Sequence, residues 1–422
     1  MKIIKVTNIE KFATKILPKQ PQKNRIIVES ILKDVKKNGD VAIRKYEKKF
    51  SRANITTLQI SKAEIKNAYS KVSKIELDSL RLAKKRLEKT ESAIKSLLKN
   101  KTINQDGIKI SKKFIPIQSV GCYIPGGLAK YPSSVIMSVV PAKVAGIKRI
   151  VVVSPPNTDG KIDPLTIVAA NLCGANEIYK TGGVQSIAAL SYGTKSILKV
   201  DKIVGPGGAF VTTAKYLTSD NTGIDMLAGP TELGIISDNS TNPKLIALDL
   251  ISQAEHSSDT FCYLITTSQK LANSVNKIIS ELIPKIKRST FVKSSLKNNG
   301  FIAICKSSTD MIKLANTLAP EHLQIMTKNP ESISSKISTA GLILLGENTP
   351  SSASDYVLGS NHILPTNGFG KIRGPLSVLD FIKVNTQATC SKSSLSKLSK
   401  YLDVLTTSEG LPNHYEAVRG RL

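Results

Sequence analysis

Ile150-Val151-Val152-Val153, Pro164 to Cys173, Glu177-Ile178-Tyr179, Val184 to Tyr192 and Lys202-Ile203-Val204 follow one another, punctuated by glycine turns. Short β-branched runs read as buried strands, and the stretches between them have the length and pattern of helices. Such alternation predicts βαβ units and a parallel sheet. A second alternating block follows. Leu233 to Ile236, Cys262 to Ile265, Ile302 to Cys305 and Leu342 to Leu345 read as strands. Helices over Pro243 to Glu255, through Glu281 and up to Leu318 separate them. The chain is therefore expected to be α/β, with two doubly wound domains and a cleft between them, where ligands usually bind.

The flanks have a different texture. Residues 1–113 read as mostly helical and lysine-rich, with Ile65, Ala68, Tyr69 and Val72 at helical spacing. The tail from Leu376 reads as a return to helix, amphipathic over Ser393 to Leu405.

The 422 residues carry a formal net charge of +28, 41% hydrophobic residues and no tryptophan. Only ten of the 60 basic residues are arginine, and aromatics make up 5%. Nucleic-acid readers favour arginine forks and stacking aromatics, so the charge reads as a lysine-biased solvated surface, with no nucleic acid as partner. The most apolar stretch, Ser134 to Val153, is interrupted by Pro141, Lys143, Lys148 and Arg149, and no run reaches the length of a membrane span. Lys2, Lys5, Glu10, Lys11 and Lys15 leave no room for a secretory apolar segment. A cytoplasmic protein without membrane contact is expected. Cys122, Cys173, Cys262, Cys305 and Cys390 are far apart and odd in number, which speaks against a disulfide framework or a cysteine metal site.

Histidine occurs only four times, and each instance sits in a motif with chemistry. Gln253 and His256, at the end of a helix, are three residues apart and share one face, a spacing that lets two side chains reach one ion. Glu321 and His322 are adjacent just before an apolar strand; at such a junction both can face a cleft and divide proton-transfer labour. Asp355 and His362 bracket a Gly/Ser/Asn-rich loop, offering an oxygen and a nitrogen donor. Glu409 and His414 repeat the carboxylate–imidazole pairing near the C-terminus. Each motif alone is open to a structural reading as a cap, turn or solvated loop. Two glycine turns, Gly121 to Gly127 and Gly205 to Gly208, have the form of a backbone approach to phosphate, but neither is a Gly-x-Gly-x-x-Gly fingerprint.

Taken together, Tyr123-Ile-Pro-Gly-Gly127, Gly182 to Leu190, Val200 to Gly207, Asp225 to Glu232, Gln253 to His256, Pro320 to Leu323 and Asn361 to Thr366 resemble the histidinol dehydrogenase family. The resemblance implies oxidation of L-histidinol to L-histidine through L-histidinal, with two NAD consumed and one zinc per site. Residue by residue, it makes Gln253, His256, Asp355 and His414 the zinc ligands. It makes Glu321 the base that activates water and His322 the base that takes the alcohol proton. Thr231, His362 and Glu409 resemble substrate contacts, as do His322 and the zinc ligands. Tyr123 and Gln185 resemble NAD contacts. The third such position, an asparagine in the family, is Gly208 here and lacks a side-chain amide.

The family is a homodimer whose tail reaches the neighbour's site, which would account for a functional His414 so close to the chain end. On this basis the expected organisation is an arm over 1–21 and a first α/β domain of 22–122 plus 232–376. An NAD-binding second domain over 123–231 and a helical tail over 377–422 complete it, both α/β domains being incomplete Rossmann-like folds. Another hydroxyl substrate within the family, such as a sulfonated diol, is the nearest alternative, and the presence of Glu409, His362 and His414 favours histidinol. A zinc hydrolase with Glu321 as base is the rival from another class.

Overall fold

The computed structural model describes residues 1–16, 24–126 and 130–422. Gly127 of the first glycine turn and residues 17–21 of the expected arm lie outside them. The strands are, in chain order, β1 (Lys2–Lys5), β2 (Lys101–Gln105), β3 (Ile108–Pro116), β4 (Ser119–Tyr123), β5 (Arg149–Ser154), β6 (Glu177–Lys180) and β7 (Lys202–Val204). There follow β8 (Gly223–Ile224), β9 (Glu232–Ser237), β10 (Phe261–Thr266), β11 (Phe301–Ile304), β12 (His322–Met326), β13 (Leu342–Leu345) and β14 (Ile382–Cys390).

Two parallel sheets form the frame. One has the order β6-β5-β4-β7-β8, the other β1-β11-β10-β9-β12-β13. From β4 onward the first sheet reads 3-2-1-4-5 in chain order, and from β9 onward the second does the same. That is a doubly wound arrangement with its strand order reversing between β4 and β7 and again between β9 and β12. The fold is α/β, as the alternating pattern predicts. Local chemistry supports the alternation. In the helix Pro164–Cys173, Asp163 caps the Leu165 amide at 3.0 Å, Pro164 stands in the first turn, and Gly174 at φ 90° ends it.

The flanks depart from expectation in three places. Residues 2–5 form β1, an edge strand running parallel to β11 from Lys2↔Phe301 to Lys5↔Ile304. Four residues are too few to show a period, and only the tertiary pairing decides them. Residues 101–116 form the antiparallel β2–β3 hairpin, and residues 382–390 form β14, which pairs with β3 from Ile382↔Pro116 to Cys390↔Ile108. β14 is almost wholly exposed, so no apolar alternation marks it. The helical tail therefore begins only with Lys392–Ser408 and Pro412–Arg419.

The helices of residues 25–96 also pack differently from the expected grouping of 22–122 with 232–376. Val28, Ile31, Leu32 and Val35 of Arg25–Phe50 share a cluster with Val151, Val153 and Ile187. Leu80, Ala83 and Leu87 of Lys74–Ser96 join Val120, Val152 and Val139. Both clusters belong to the five-stranded sheet, whose first strand starts at Ser119 rather than 123. An amphipathic pattern shows which helix face is buried, not which sheet buries it. No helix among the described residues is long and apolar enough to cross a membrane.

Candidate active site

Where the two sheets face each other there is a cavity of about 1210 Å³. The five-stranded sheet contributes the loop Gly205–Gly208 after β7, at its strand-order reversal, the usual ligand position in such sheets. The six-stranded sheet contributes the N-terminal ends of two adjacent strands: Thr231 before β9, and Glu321 and His322 at the start of β12. The expected convergence of Glu321 and His322 at a loop-to-strand junction is what the structure shows.

The Gly205 turn is tightly determined. Gly205 has φ +116°, and a Cβ there would lie 2.1 Å from the Tyr123 carbonyl oxygen, so only glycine fits. Its N–H donates to Asp225 Oδ2 at 2.8 Å, and its carbonyl accepts from Lys215 Nζ at 3.0 Å. Lys215 and Asp225 are themselves a buried ion pair. This pair braces the loop from behind through main-chain atoms, leaving its outer face to the cavity.

Gln253 sits in the last turn of Pro243–Ala254, and His256 follows the helix end; both line the cavity. Gln253 is 2% exposed, its Oε1 accepts from Ser351 Oγ at 3.2 Å, and its Nε2 has no partner. A buried amide left half unsatisfied is unusual in a structural role. Asp355, just past the short helix Ser351–Ser354, lies among three of the chain's four imidazoles. Burial would raise its pKa, but His322, His362 and His256 hold it below the usual carboxylate range.

His322 is buried, with Nδ1 3.1 Å from the Glu232 carbonyl oxygen and Nε2 3.5 Å from Asp355 Oδ1. A proton on Nδ1 donating to that carbonyl leaves Nε2 as the free nitrogen. Burial opposes charge on this ring, yet Glu321 and Asp355 outweigh it and push the pKa up to about 10. His362 behaves differently: burial dominates and lowers its pKa. Its Nδ1 lies 2.7 Å from the Asp355 carbonyl oxygen and its Nε2 3.2 Å from Ser134 Oγ. It is therefore a neutral ring with Nδ1–H donating and Nε2 accepting from the serine hydroxyl.

A sequence model of the family described as histidinol dehydrogenase matches residues 18–422. The chain belongs to the histidinol dehydrogenase family. The Methanocaldococcus jannaschii histidinol dehydrogenase is 42% identical over 94% of this chain and 92% of its own length. That of Clostridium acetobutylicum is 40% identical over 98% and 96%. The crystal structure of histidinol dehydrogenase from Elizabethkingia anophelis superposes with a TM-score of 0.94 at 33% identity, covering 100% of this chain and 98% of that one. An apo betaine aldehyde dehydrogenase from Staphylococcus aureus, 12% identical over 90% of this chain and 83% of its own, has a TM-score of 0.51 and shares the fold alone.

Of the residues singled out from the histidinol dehydrogenase resemblance, Gly208, Thr231, Gln253, His256, Glu321, His322, Asp355 and His362 all line the one cavity. Glu409 and His414 do not. They are exposed at the end of Lys392–Ser408 and in Pro412–Arg419, and this chain does not fold them back to its own cavity. Tyr123 and Gln185, 5% and 2% exposed, are not on the cavity surface; Tyr123 packs directly behind the Gly205 loop. Gln185 Nε2 donates to the buried Glu47 at 2.7 Å, which leaves its Oε1 without a partner.

As to a metal, no three His, Cys, Asp or Glu side chains among the described residues are placed to hold one. Of the residues expected at the metal, one chain brings His256 and Asp355 to the cavity as donors of those types, beside the Gln253 amide. Mixed nitrogen and oxygen donors with an unsatisfied buried amide fit zinc, with at least one further donor to come from elsewhere.

Four contributors escaped the sequence reading: Glu232, Ser134, Lys215 and Asp225. Asp225 and Glu232 are the two ends of the quoted Asp225–Glu232 motif, so the signal was present but not resolved into roles. Ser134 carried no signal, being one of three serines in a largely apolar helix.

Proposed function

We propose that this chain catalyses the zinc-requiring, NAD-dependent oxidation of L-histidinol to L-histidine through L-histidinal, the closing steps of histidine biosynthesis, in the cytoplasm. The observation that carries the reading is the convergence of His256, His322 and His362 on Asp355, opposite the Gly205–Gly208 loop, within the histidinol dehydrogenase family. Gln253, His256 and Asp355 would hold the zinc with the partner subunit's His414. Bound there, the metal supplies a Lewis-acidic anchor for the substrate's imidazole and amine, and NAD takes up the hydride of each oxidation.

The chain's own groups do the proton work. His322, oriented through Nδ1 by the Glu232 carbonyl, presents Nε2 to the alcohol proton. Glu321 and Asp355 raise its pKa, and with Asp355 holding the zinc less of that charge would be left to the ring, whose neutral form is the base the alcohol step needs. Glu321 then takes a proton from water as it adds to the aldehyde. Its position in the same cavity lets L-histidinal stay in place between the two steps. Thr231 supplies a polar contact to the substrate, His362 would supply one through Nε2 where the substrate displaces the Ser134 hydroxyl, and the braced Gly205 loop offers main-chain groups to the cofactor.

NADH should form when L-histidinol is added, should fall to background after treatment with a chelator, and should return with added zinc. Chelator-resistant turnover contradicts the metal's part in the reading. The shared-site arrangement has its own test. His414→Ala and His322→Ala proteins, each inactive, should regain activity when mixed and allowed to exchange subunits, because one hybrid site is then complete. No recovery in verified hybrids places His414 outside the neighbour's site.

Gly208 gives a prediction particular to this chain. It caps Ala209–Leu217 at φ −66°, and a Cβ would meet nothing within 4 Å. Gly208→Asn should fold normally, adding an amide at the cavity surface and a better helix cap. The expected result is a lower KM for NAD, by about three- to tenfold for one hydrogen bond, with kcat little changed. An unchanged or higher KM removes Gly208 from the cofactor contacts.

A further inference from the structure

We infer that Glu232 is a positioning residue for Glu321, serving the aldehyde-oxidising half of the reaction; the inference rests on the role proposed for Glu321. Glu232 opens β9, is 2% exposed, and does not reach the cavity surface. Its Oε2 accepts from the Glu321 N–H at 3.1 Å and its Oε1 from the Asn367 N–H at 2.9 Å. Glu321 returns the contact, its Oε2 accepting from the Glu232 N–H at 2.8 Å.

The two residues thus exchange side-chain-to-main-chain bonds across the start of two strands. The ladder between β9 and β12 begins at Leu233↔His322, so Glu232 and Glu321 stand opposite each other one step before it. The reciprocal bonds extend the pairing by one rung and set where the Glu321 carboxylate points. The Asn367 bond ties the same carboxylate to the turn of Thr366 and Asn367, which lines the cavity. A buried carboxylate satisfied by neutral amides is a costly choice, and burial raises its pKa to about 8. A role in stability alone would be met more cheaply by apolar side chains.

The geometry also separates the two catalytic residues. The Glu232 side chain holds the Glu321 N–H, whereas its main-chain N–H anchors the Glu321 carboxylate and its main-chain carbonyl orients His322 at 3.1 Å. A side-chain substitution leaves both main-chain anchors and frees the Glu321 amide, so the disturbance starts at Glu321. Glutamine at this position offers one acceptor oxygen for two amide donors and sets an NH₂ against the other. Aspartate keeps the carboxyl group but is one methylene too short to span both.

The test compares the half-reactions of zinc-loaded Glu232→Gln and Glu232→Asp proteins, using L-histidinol in single turnover and L-histidinal in steady state. Oxidation of L-histidinal should fall at least about tenfold in both, within the range for a displaced general base. The alcohol step should change by less than about threefold, with KM for L-histidinol nearly unchanged. Equal slowing of both steps, a rise in KM alone, or a wild-type aldehyde rate overturns the inference. If the glutamine variant does not fold, the aspartate variant decides on the same ratio. Glu321→Gln is measured alongside. If it lacks the selective loss, the role of Glu321 itself fails; if it shows the loss and the Glu232 variants do not, only the present inference fails.

Discussion

Glu321→Gln should still convert L-histidinol to L-histidinal, but oxidation of the aldehyde should fall by about 10²–10⁴-fold, the usual worth of a general base. Glutamine keeps an oxygen that accepts from the Glu232 N–H, the bond that anchors the native side chain at 2.8 Å, so the site's shape is preserved. What is lost is the ability to take a proton from water. His322, held separately through Nδ1, retains the alcohol proton as its own task. Rates measured separately with L-histidinol and L-histidinal report the division. Equal loss of both steps would mean that the two side chains do not divide the labour.

Lys215→Met should be strongly destabilising at the Gly205 loop. The ammonium and the Asp225 carboxylate are both buried, and removing one partner of such a pair costs about 3–5 kcal/mol because the other charge is stranded. The carboxylate keeps its bond from the Gly205 N–H, which lowers the cost but does not cancel it. Urea or guanidinium unfolding should show a lower midpoint at unchanged slope. Because Lys215 also holds the Gly205 carbonyl, KM for NAD should rise in the protein that remains folded. Adding Asp225→Asn should recover part of the stability, since no charge is then left alone in the interior. Additive losses in the double variant would show that the two residues act independently.

The sheet-and-helix alternation was legible because buried parallel strands are nearly continuous runs of Val, Ile and Leu, as in Arg149–Ser154, and helices between them carry proline and glycine at their ends. β14 was not legible: its side chains face solvent, and only pairing with β3, more than 260 residues away in the chain, makes it a strand. The packing of residues 25–96 on the five-stranded sheet was hidden for a related reason, since an apolar helix face does not name its partner. At the site, the histidines were conspicuous by rarity and by their neighbouring carboxylates. Glu232 and Lys215 were not, because their function is exerted through main-chain amides and carbonyls that any sequence possesses. Glu409 and His414 are exposed at the C-terminal helices, where the proposed dimer would bring them to the partner's cavity.

The central claim is that one cavity carries out both oxidations without letting the aldehyde go. It is tested most directly by counting NADH formed per L-histidinol consumed by the zinc-loaded protein in the presence of a carbonyl reagent that traps free aldehyde. Two NADH and one L-histidine are expected for each L-histidinol, with little trapped aldehyde. One NADH per substrate, with the aldehyde recovered in the trap, would contradict it.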